Sequence, residues 1–161
     1  RGLLDQNKSL WASFMLEYSP SSANLTNNTN ANSTTKRVFI GGDSGYGAHF
    51  AEIGRRFGRV DLAFLENGQY NPQWGQIHTF PHQNLQIAQD LHANAVMPVH
   101  NSKFKLAPHE WNEPLEILFT LFRQGISRGD FDFALLTPQI GQIVPLWGEY
   151  KKDDFSAWWR E

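Results

Sequence analysis

Short apolar runs alternate with segments of helical spacing along this chain, and that alternation constrains the fold more than any other feature. Arg37-Val38-Phe39-Ile40 reads as a strand, and Phe50, Ile53 and Phe57 follow at helical spacing. Val60-Asp61-Leu62-Ala63-Phe64-Leu65 reads as a second strand, and Pro81 suits the first residue of a helix burying Leu85, Ala88 and Leu91. Ala95-Val96-Met97-Pro98-Val99 reads as another strand, followed by a helix from about Pro114 to Gln124. Phe131 to Leu136 and Gln142 to Leu146 are expected as two last strands. Upstream, the stretch from Leu10 to Tyr18 is rich in aromatic and apolar residues and lacks helix caps, so a strand is expected there too. Strand and helix in alternation define an α/β chain.

At 161 residues the chain suits one domain, or part of one, spanning 1–161. Residues 19–35 are almost entirely Ser, Asn, Thr and Ala, too polar to bury, and are expected as a flexible hairpin tip. Their Asn-x-Ser/Thr triplets arise easily by chance in such a tract. Lys and Arg total 14 against 16 Asp and Glu, a net charge of -2 that offers no footprint for nucleic acid. With no cysteine, disulfides and thiolate metal sites are excluded, leaving histidine and carboxylates as the strong ligands. No apolar stretch approaches the roughly 18 residues of a membrane span and no secretory leader is seen. A soluble, cytoplasmic chain is the expectation, with membrane association and self-association left open.

In α/β layers chemistry gathers where strands end and loops begin. Three such junctions stand out. In Gly41-Gly42-Asp43-Ser44-Gly45-Tyr46 an apolar strand runs into a carboxylate flanked by glycines, which allow a sharp turn and close approach to a ligand. Locally it reads first as a tight turn with Asp43 capping the next helix. His100 directly follows a strand, where a lone histidine is ordinarily a hydrogen-bonded surface residue. The long segment between Glu66 and Pro81 holds Tyr70, Trp74 and His78, with His82 just beyond. His78 and His82 have the spacing of a helical zinc pair, but Pro81 between them implies that the helix starts there and that they diverge.

Several motifs in the same order carry a resemblance. Arg37 through Tyr46, Phe57-Gly58, Asp61-Leu62-Ala63, Asn67-Gly68-Gln69-Tyr70-Asn71-Pro72-Gln73-Trp74, His78-Thr79-Phe80-Pro81, Met97-Pro98-Val99-His100 and Trp111-Asn112-Glu113-Pro114 together resemble one branch of the metallo-β-lactamase superfamily. That branch includes the N-acylphosphatidylethanolamine-hydrolysing phospholipase D. The resemblance implies an αββα sandwich of two similar halves, of which this chain matches the C-terminal half, with two metal ions, usually zinc, at its edge. It implies that Asp43 bridges the ions, that His100 is the last histidine ligand, and that His78 stands beside them to hydrogen-bond the scissile group or its leaving oxygen. Tyr46, Tyr70 and Trp74 are available to line the pocket.

The family's His-x-His-x-Asp-His motif and a further ligand histidine belong to the N-terminal half and are not in this sequence. A fragment, or one half awaiting an N-terminal partner, is therefore expected, with weak metal binding and no turnover alone. For the whole enzyme the resemblance implies hydrolysis by a metal-bound hydroxide, the pKa of water falling from about 15.7 toward roughly 7. The substrate implied is a small-molecule or lipid phosphodiester, with a lactone or another ester as the alternative. A non-catalytic module docking through an exposed sheet face is the alternative from a different class.

Overall fold

The structure, a computed structural model, describes residues 12–19, 35–146, 148–151 and 154–161. Five strands form one sheet in the order of the chain: β1 (Phe14–Tyr18), β2 (Lys36–Ile40), β3 (Leu62–Glu66), β4 (Ala95–Val99) and β5 (Ala134–Leu135). β1 pairs antiparallel with β2, Phe14 opposite Ile40 and Tyr18 opposite Lys36, while β2 to β5 run parallel. The parallel strands are joined by α1 (His49–Phe57), α2 (Pro81–Asp90) and α3 (Glu113–Arg128). Successive crossovers advance in one direction across the sheet, and the three helices share one core on one of its faces.

Strand side chains alternate between two faces, and burial follows that alternation. Phe39, Ala63, Leu65, Val96 and Leu135 face the helices and pack with Phe50, Leu85, Ile87, Leu118 and Phe122. Val38, Leu62, Ala95, Ala134 and Leu136 form a second cluster with Phe64 and Met97, covered by Val144, Tyr150 and Phe155 from the C-terminal segment. That cover stops short of β1. Phe14, Leu16 and Ile40 remain exposed, and an apolar groove of about 420 Å³ runs along Leu16, Val38, Ile40, Phe64 and Leu146. Helices on one face and an open apolar surface on the other is the layering of half an αββα sandwich.

Local chemistry explains the helix limits. Pro81 opens α2, and the Gln83 side chain accepts a hydrogen bond from the Phe80 amide at 2.9 Å. α3 carries Glu113 and Glu116 in its first turn, complementing the helix dipole, and ends at Gly129 with φ +80°. α1 packs against the end of α2 through Gly54, where a Cβ would lie 1.9 Å from the Asp90 carbonyl oxygen.

Four expectations need correction. The strand expected from Leu10 starts at Phe14, Leu10 and Trp11 lying outside the described residues. α3 runs to Arg128 rather than Gln124, because Leu118, Phe122 and Gly125 keep one face buried. The strand expected over Phe131–Leu136 shrinks to Ala134–Leu135: Phe131 and Phe133 turn onto Phe122 instead, with ring centroids 6.1 and 5.5 Å away. No strand forms over Gln142–Leu146, where Ile143 is 92% exposed and the Gln142 side chain closes a turn onto the Gln139 amide. The Asn/Thr-rich tip at 19–35 falls almost wholly outside the described residues; its antiparallel flanks β1 and β2 pair as hairpin strands do.

Candidate metal centre

The three parallel strands β2, β3 and β4 end side by side, and each delivers a polar residue to the same crevice. After β2, the Gly41 amide still pairs with the Phe64 carbonyl at 2.9 Å, and Gly42, at φ +62°, then turns the chain so that Asp43 leaves the sheet. Asp43 does not cap α1, which begins six residues later with Ala48 at its N-cap. β3 ends in Glu66. β4 is followed at once by His100, held at φ +64°, a left-handed conformation uncommon for a residue with a Cβ.

His78 reaches the same place from the loop before α2. The Thr79 amide donates to Glu66 Oε2 at 2.9 Å and the Thr79 hydroxyl to the Glu66 carbonyl at 2.7 Å, fixing the backbone next to His78. One ligand atom each from Asp43, His78 and His100 lie within 4.8 Å of one another. His100 Nδ1 is 3.7 Å from Asp43 Oδ1. Pro81 does send His82 elsewhere, onto the Phe80 ring at 5.9 Å.

Glu66 was missed in reading the sequence, where it closes an apolar run without any motif. Its carboxylate is 2% exposed and lies 3.3 Å from His78 Nδ1 and 3.5 Å from His100 Nδ1. Four donors converge on it: the amides of Gly68 and Gln69 on Oε1, the amide and hydroxyl of Thr79 on Oε2. The signal that could have found it is its position, a carboxylate at the last residue of a buried parallel strand. Behind it, Asn84 donates to the Glu66 carbonyl and to Asn67, and Asn67 donates to the Pro114 carbonyl at 3.0 Å. Gly68 allows the turn after β3 to press against β4: a Cβ there would lie 1.6 Å from the His100 carbonyl oxygen. Gln69 ties down the loop after His100, accepting from the Leu106 and Ala107 amides and donating to the Phe104 carbonyl.

The aromatic residues singled out in the sequence are not gathered around one pocket. Tyr46 donates to Asp90 at 3.0 Å and stacks on Phe50. Asp90 is the last residue of α2, roughly 13 Å along the helix from Pro81 at 1.5 Å per residue, so the Tyr46 hydroxyl is turned away from the cluster. That hydrogen bond raises its pKa above the usual phenol value. Tyr70 is half-buried, donates to Glu113 at 2.5 Å and stacks on His109 at 4.6 Å. Burial and the Glu113 carboxylate push its phenol well above the usual range, keeping it a neutral donor. Trp74 donates its indole N–H to the Gln69 carbonyl at 2.5 Å, bracing the turn that carries Glu66's donors.

Two imidazoles and a carboxylate form a donor set suited to zinc. The fit is supported by a polar atom with no other occupation: His78 Nδ1 is buried, and no hydrogen bond closes on it even with Glu66 at 3.3 Å. Residues 2–101 match the Beta-lactamase superfamily domain, and the chain belongs to that family. Within it the resemblance is to the branch implied by the motifs. The chain is 38% identical over 146 residues to the mitochondrial N-acyl-phosphatidylethanolamine-hydrolyzing phospholipase D of Saccharomyces cerevisiae, covering 88% of this chain and 27% of that one. It is 42% identical over 97 residues to outer membrane protein RomA of Klebsiella pneumoniae, covering 60% and 62%. An uncharacterized protein of Mycobacterium tuberculosis is 34% identical over 160 residues, covering 98% and 37%. The chain thus spans less than two thirds of each of these relatives. Among solved structures, the isothiocyanate hydrolase of Delia radicum gut bacteria is similar with a TM-score of 0.49 and 18% identity, over 70% of this chain and 41% of that one. No helix among the described residues is long and apolar enough to cross a membrane.

Proposed function

We propose that this chain supplies the C-terminal half of a zinc hydrolase centre acting on phosphodiesters. The observation that carries the reading is the convergence of Asp43, His78 and His100 within 4.8 Å at the ends of adjacent parallel strands. Asp43 and His100 would hold the metal, two ions in the complete site. When bound, divalent ions supply an activated water as nucleophile and a counter-charge for the leaving oxygen. His78, its side chain 13% exposed beside them, would donate a hydrogen bond to the scissile group or its leaving oxygen. Glu66 lies 3.3 Å and 3.5 Å from the Nδ1 atoms of His78 and His100, and its negative charge there would orient both rings and strengthen them as donors. Trp74 and Tyr70 brace the turn and loop behind that crevice rather than forming its wall.

A zinc ion takes about four ligands, so the donors here leave two ions under-coordinated. The proposal therefore includes an N-terminal half that contributes the remaining ligands and packs its own sheet on the open apolar surface of β1 and β2. That surface also favours the docking reading, which differs in having no role for metal.

The test is to combine the chain with an N-terminal half carrying His-x-His-x-Asp-His, add zinc, and follow bis(4-nitrophenyl) phosphate and a 4-nitrophenyl ester. Hydrolysis of the phosphodiester should need both halves and should fall with Asp43→Asn. Faster ester cleavage would replace the phosphodiester reading by the lactonase or esterase one. Assembly of the halves with no zinc-dependent hydrolysis would favour the docking module.

A further inference from the structure

The turn that follows β3 and the loop that follows β4 are tied together by the side chain of Gln69. That side chain is buried, 5% of the residue being exposed, and its carboxamide has two donor hydrogens and two acceptor lone pairs. All four are used on the main chain of residues 100–107. Nε2 donates to the Phe104 carbonyl at 2.9 Å and to the His100 carbonyl at 3.4 Å, and Oε1 accepts from the Leu106 and Ala107 amides at 2.9 and 3.0 Å. We infer that Gln69 is a positioning residue of the metal centre, which directs the His100 side chain by holding the left-handed turn at the end of β4.

His100 follows β4 directly, so the direction in which its side chain leaves the sheet is set by its own backbone angles. That backbone is at φ +64°, and Ser102 is at +63°. Such a conformation is costly for a residue with a Cβ and persists only where the surroundings over-determine it. Here the surroundings are the turn from Asn67 to Gln69. The Asn67 amide takes the Val99 carbonyl at 2.9 Å, and Gly68 then lies so close to the His100 carbonyl oxygen that a Cβ would come within 1.6 Å of it. Gln69 donates to that same oxygen. A buried carboxamide with every position matched specifies one arrangement of the loop, because any other leaves polar groups unpaired.

A plain loop brace would have no connection with the imidazole, whereas Gln69 has one. Its own amide donates to Glu66 Oε1 at 3.0 Å, and that oxygen is 3.5 Å from His100 Nδ1. Gln69 therefore bears on His100 at both ends, on the carbonyl through its carboxamide and on the ring through the carboxylate that its amide helps to fix. The Trp74 indole N–H, donated to the Gln69 carbonyl at 2.5 Å, holds the turn from behind. This inference rests on the proposed reading of His100 as a ligand, and adds what keeps that ligand in place.

The experiment is a zinc titration, in competition with a chromophoric chelator, of the chain and of Gln69→Met, Gln69→Glu, His100→Ala and Gln69→Met/His100→Ala. Circular dichroism checks folding, and ring 15N shifts are recorded for the metal-free proteins. Gln69→Met should weaken zinc binding about tenfold and move the His100 ring resonances while leaving those of His82 in place. In the His100→Ala background the same change should weaken it less than about twofold, because a residue that acts through His100 then has nothing to act on. Gln69→Glu keeps the shape and the two acceptor bonds, and its added negative charge would favour a cation. Weaker zinc binding in that variant therefore reads the lost donation to the His100 carbonyl, and it decides the matter should Gln69→Met fail to fold. Unchanged zinc affinity in the folded Gln69 variants, or an equal loss in both backgrounds, would overturn the inference and leave Gln69 a loop brace. If His100→Ala binds zinc as the unaltered chain does, the ligand reading falls and this one with it; if only the Gln69 changes are silent, this one falls alone.

Discussion

Glu66 shows how one side chain can organise a site without being one of its proposed ligands. Its two oxygens take four hydrogen bonds from the turn and loop around it, and it still faces the Nδ1 atoms of two histidines. A carboxylate this close to two imidazoles orients them, and removing such a neighbour typically weakens metal binding by about 10–100-fold. Glu66→Gln should therefore lower zinc affinity within that range and shift the ring 15N resonances of both His78 and His100. A competition titration with a chromophoric chelator reads the first and NMR the second. A fall in melting temperature with both signals unchanged would reduce Glu66 to a scaffold residue. Asp43 and His100 were marked in the sequence by place, as polar residues one to three positions beyond a strand, but read locally as a helix cap and a surface histidine until the family motifs gave them a role as ligands. His78 lacked even that mark of place, since a histidine in an irregular loop carries no periodic signal. Glu66 had a signal in its position, but a terminal carboxylate on an apolar run reads locally as the return to solvent.

At the scale of elements, β2, β3 and β4 and the helices between them were readable because apolar period and the proline at Pro81 are local signals. β5 was located but read as longer than its two residues, and the irregular stretch after it was misread as a strand. Phe131 and Phe133 have strand-like composition, but Gly125 opens a recess on α3 where a Cβ would meet the Phe131 ring at 2.0 Å, and tertiary packing takes those rings out of extended pairing. The C-terminal segment is likewise positioned by long-range contacts. Glu116 of α3 accepts from Arg160 at 2.6 and 2.8 Å and from the indole of the buried Trp159 at 2.9 Å. Hydrogen bonds from Arg160, then from Trp159, pull the Glu116 carboxyl down to about 2 from its ordinary 4.5. A depressed folded-state pKa gives stability that is full above the unfolded value and lost as pH falls through the folded one. Docking of Trp159 should accordingly weaken between about pH 4.5 and pH 2. The pair is more than a third exposed, so solvent screening keeps the effect modest. Tryptophan fluorescence during acid titration checks this: Glu116→Gln should flatten the transition in that window, and an unchanged curve would remove Glu116 as its cause.

For the whole molecule, the sheet has one face packed under three helices and the other covered over β3 to β5 and part of β2 but not over β1. Phe14, Leu16 and Ile40 lie open on a continuous apolar surface, the kind of patch that marks an interface. Leu16→Ser/Ile40→Ser should leave zinc binding by the chain intact and abolish its assembly with an N-terminal half, as followed by analytical ultracentrifugation. Assembly unaffected by both changes would put the interface elsewhere. The α/β class was readable from the alternation of elements alone, whereas the exposed sheet face, expected only as one alternative, could be assigned to β1 and the edge of β2 only once the positions of the tail and helices were known.

The account's central claim is that Asp43 and His100, with His78 beside them, hold a metal ion at the strand ends. The most direct measurement is a zinc titration of the chain by calorimetry, alongside Asp43→Asn, His100→Ala and, as a control outside the cluster, His82→Ala. The account predicts weak saturable binding to the unaltered chain and to His82→Ala, with affinity lowered about tenfold or more in the other two variants. Equal zinc affinity in all four proteins, or none in any, would contradict it.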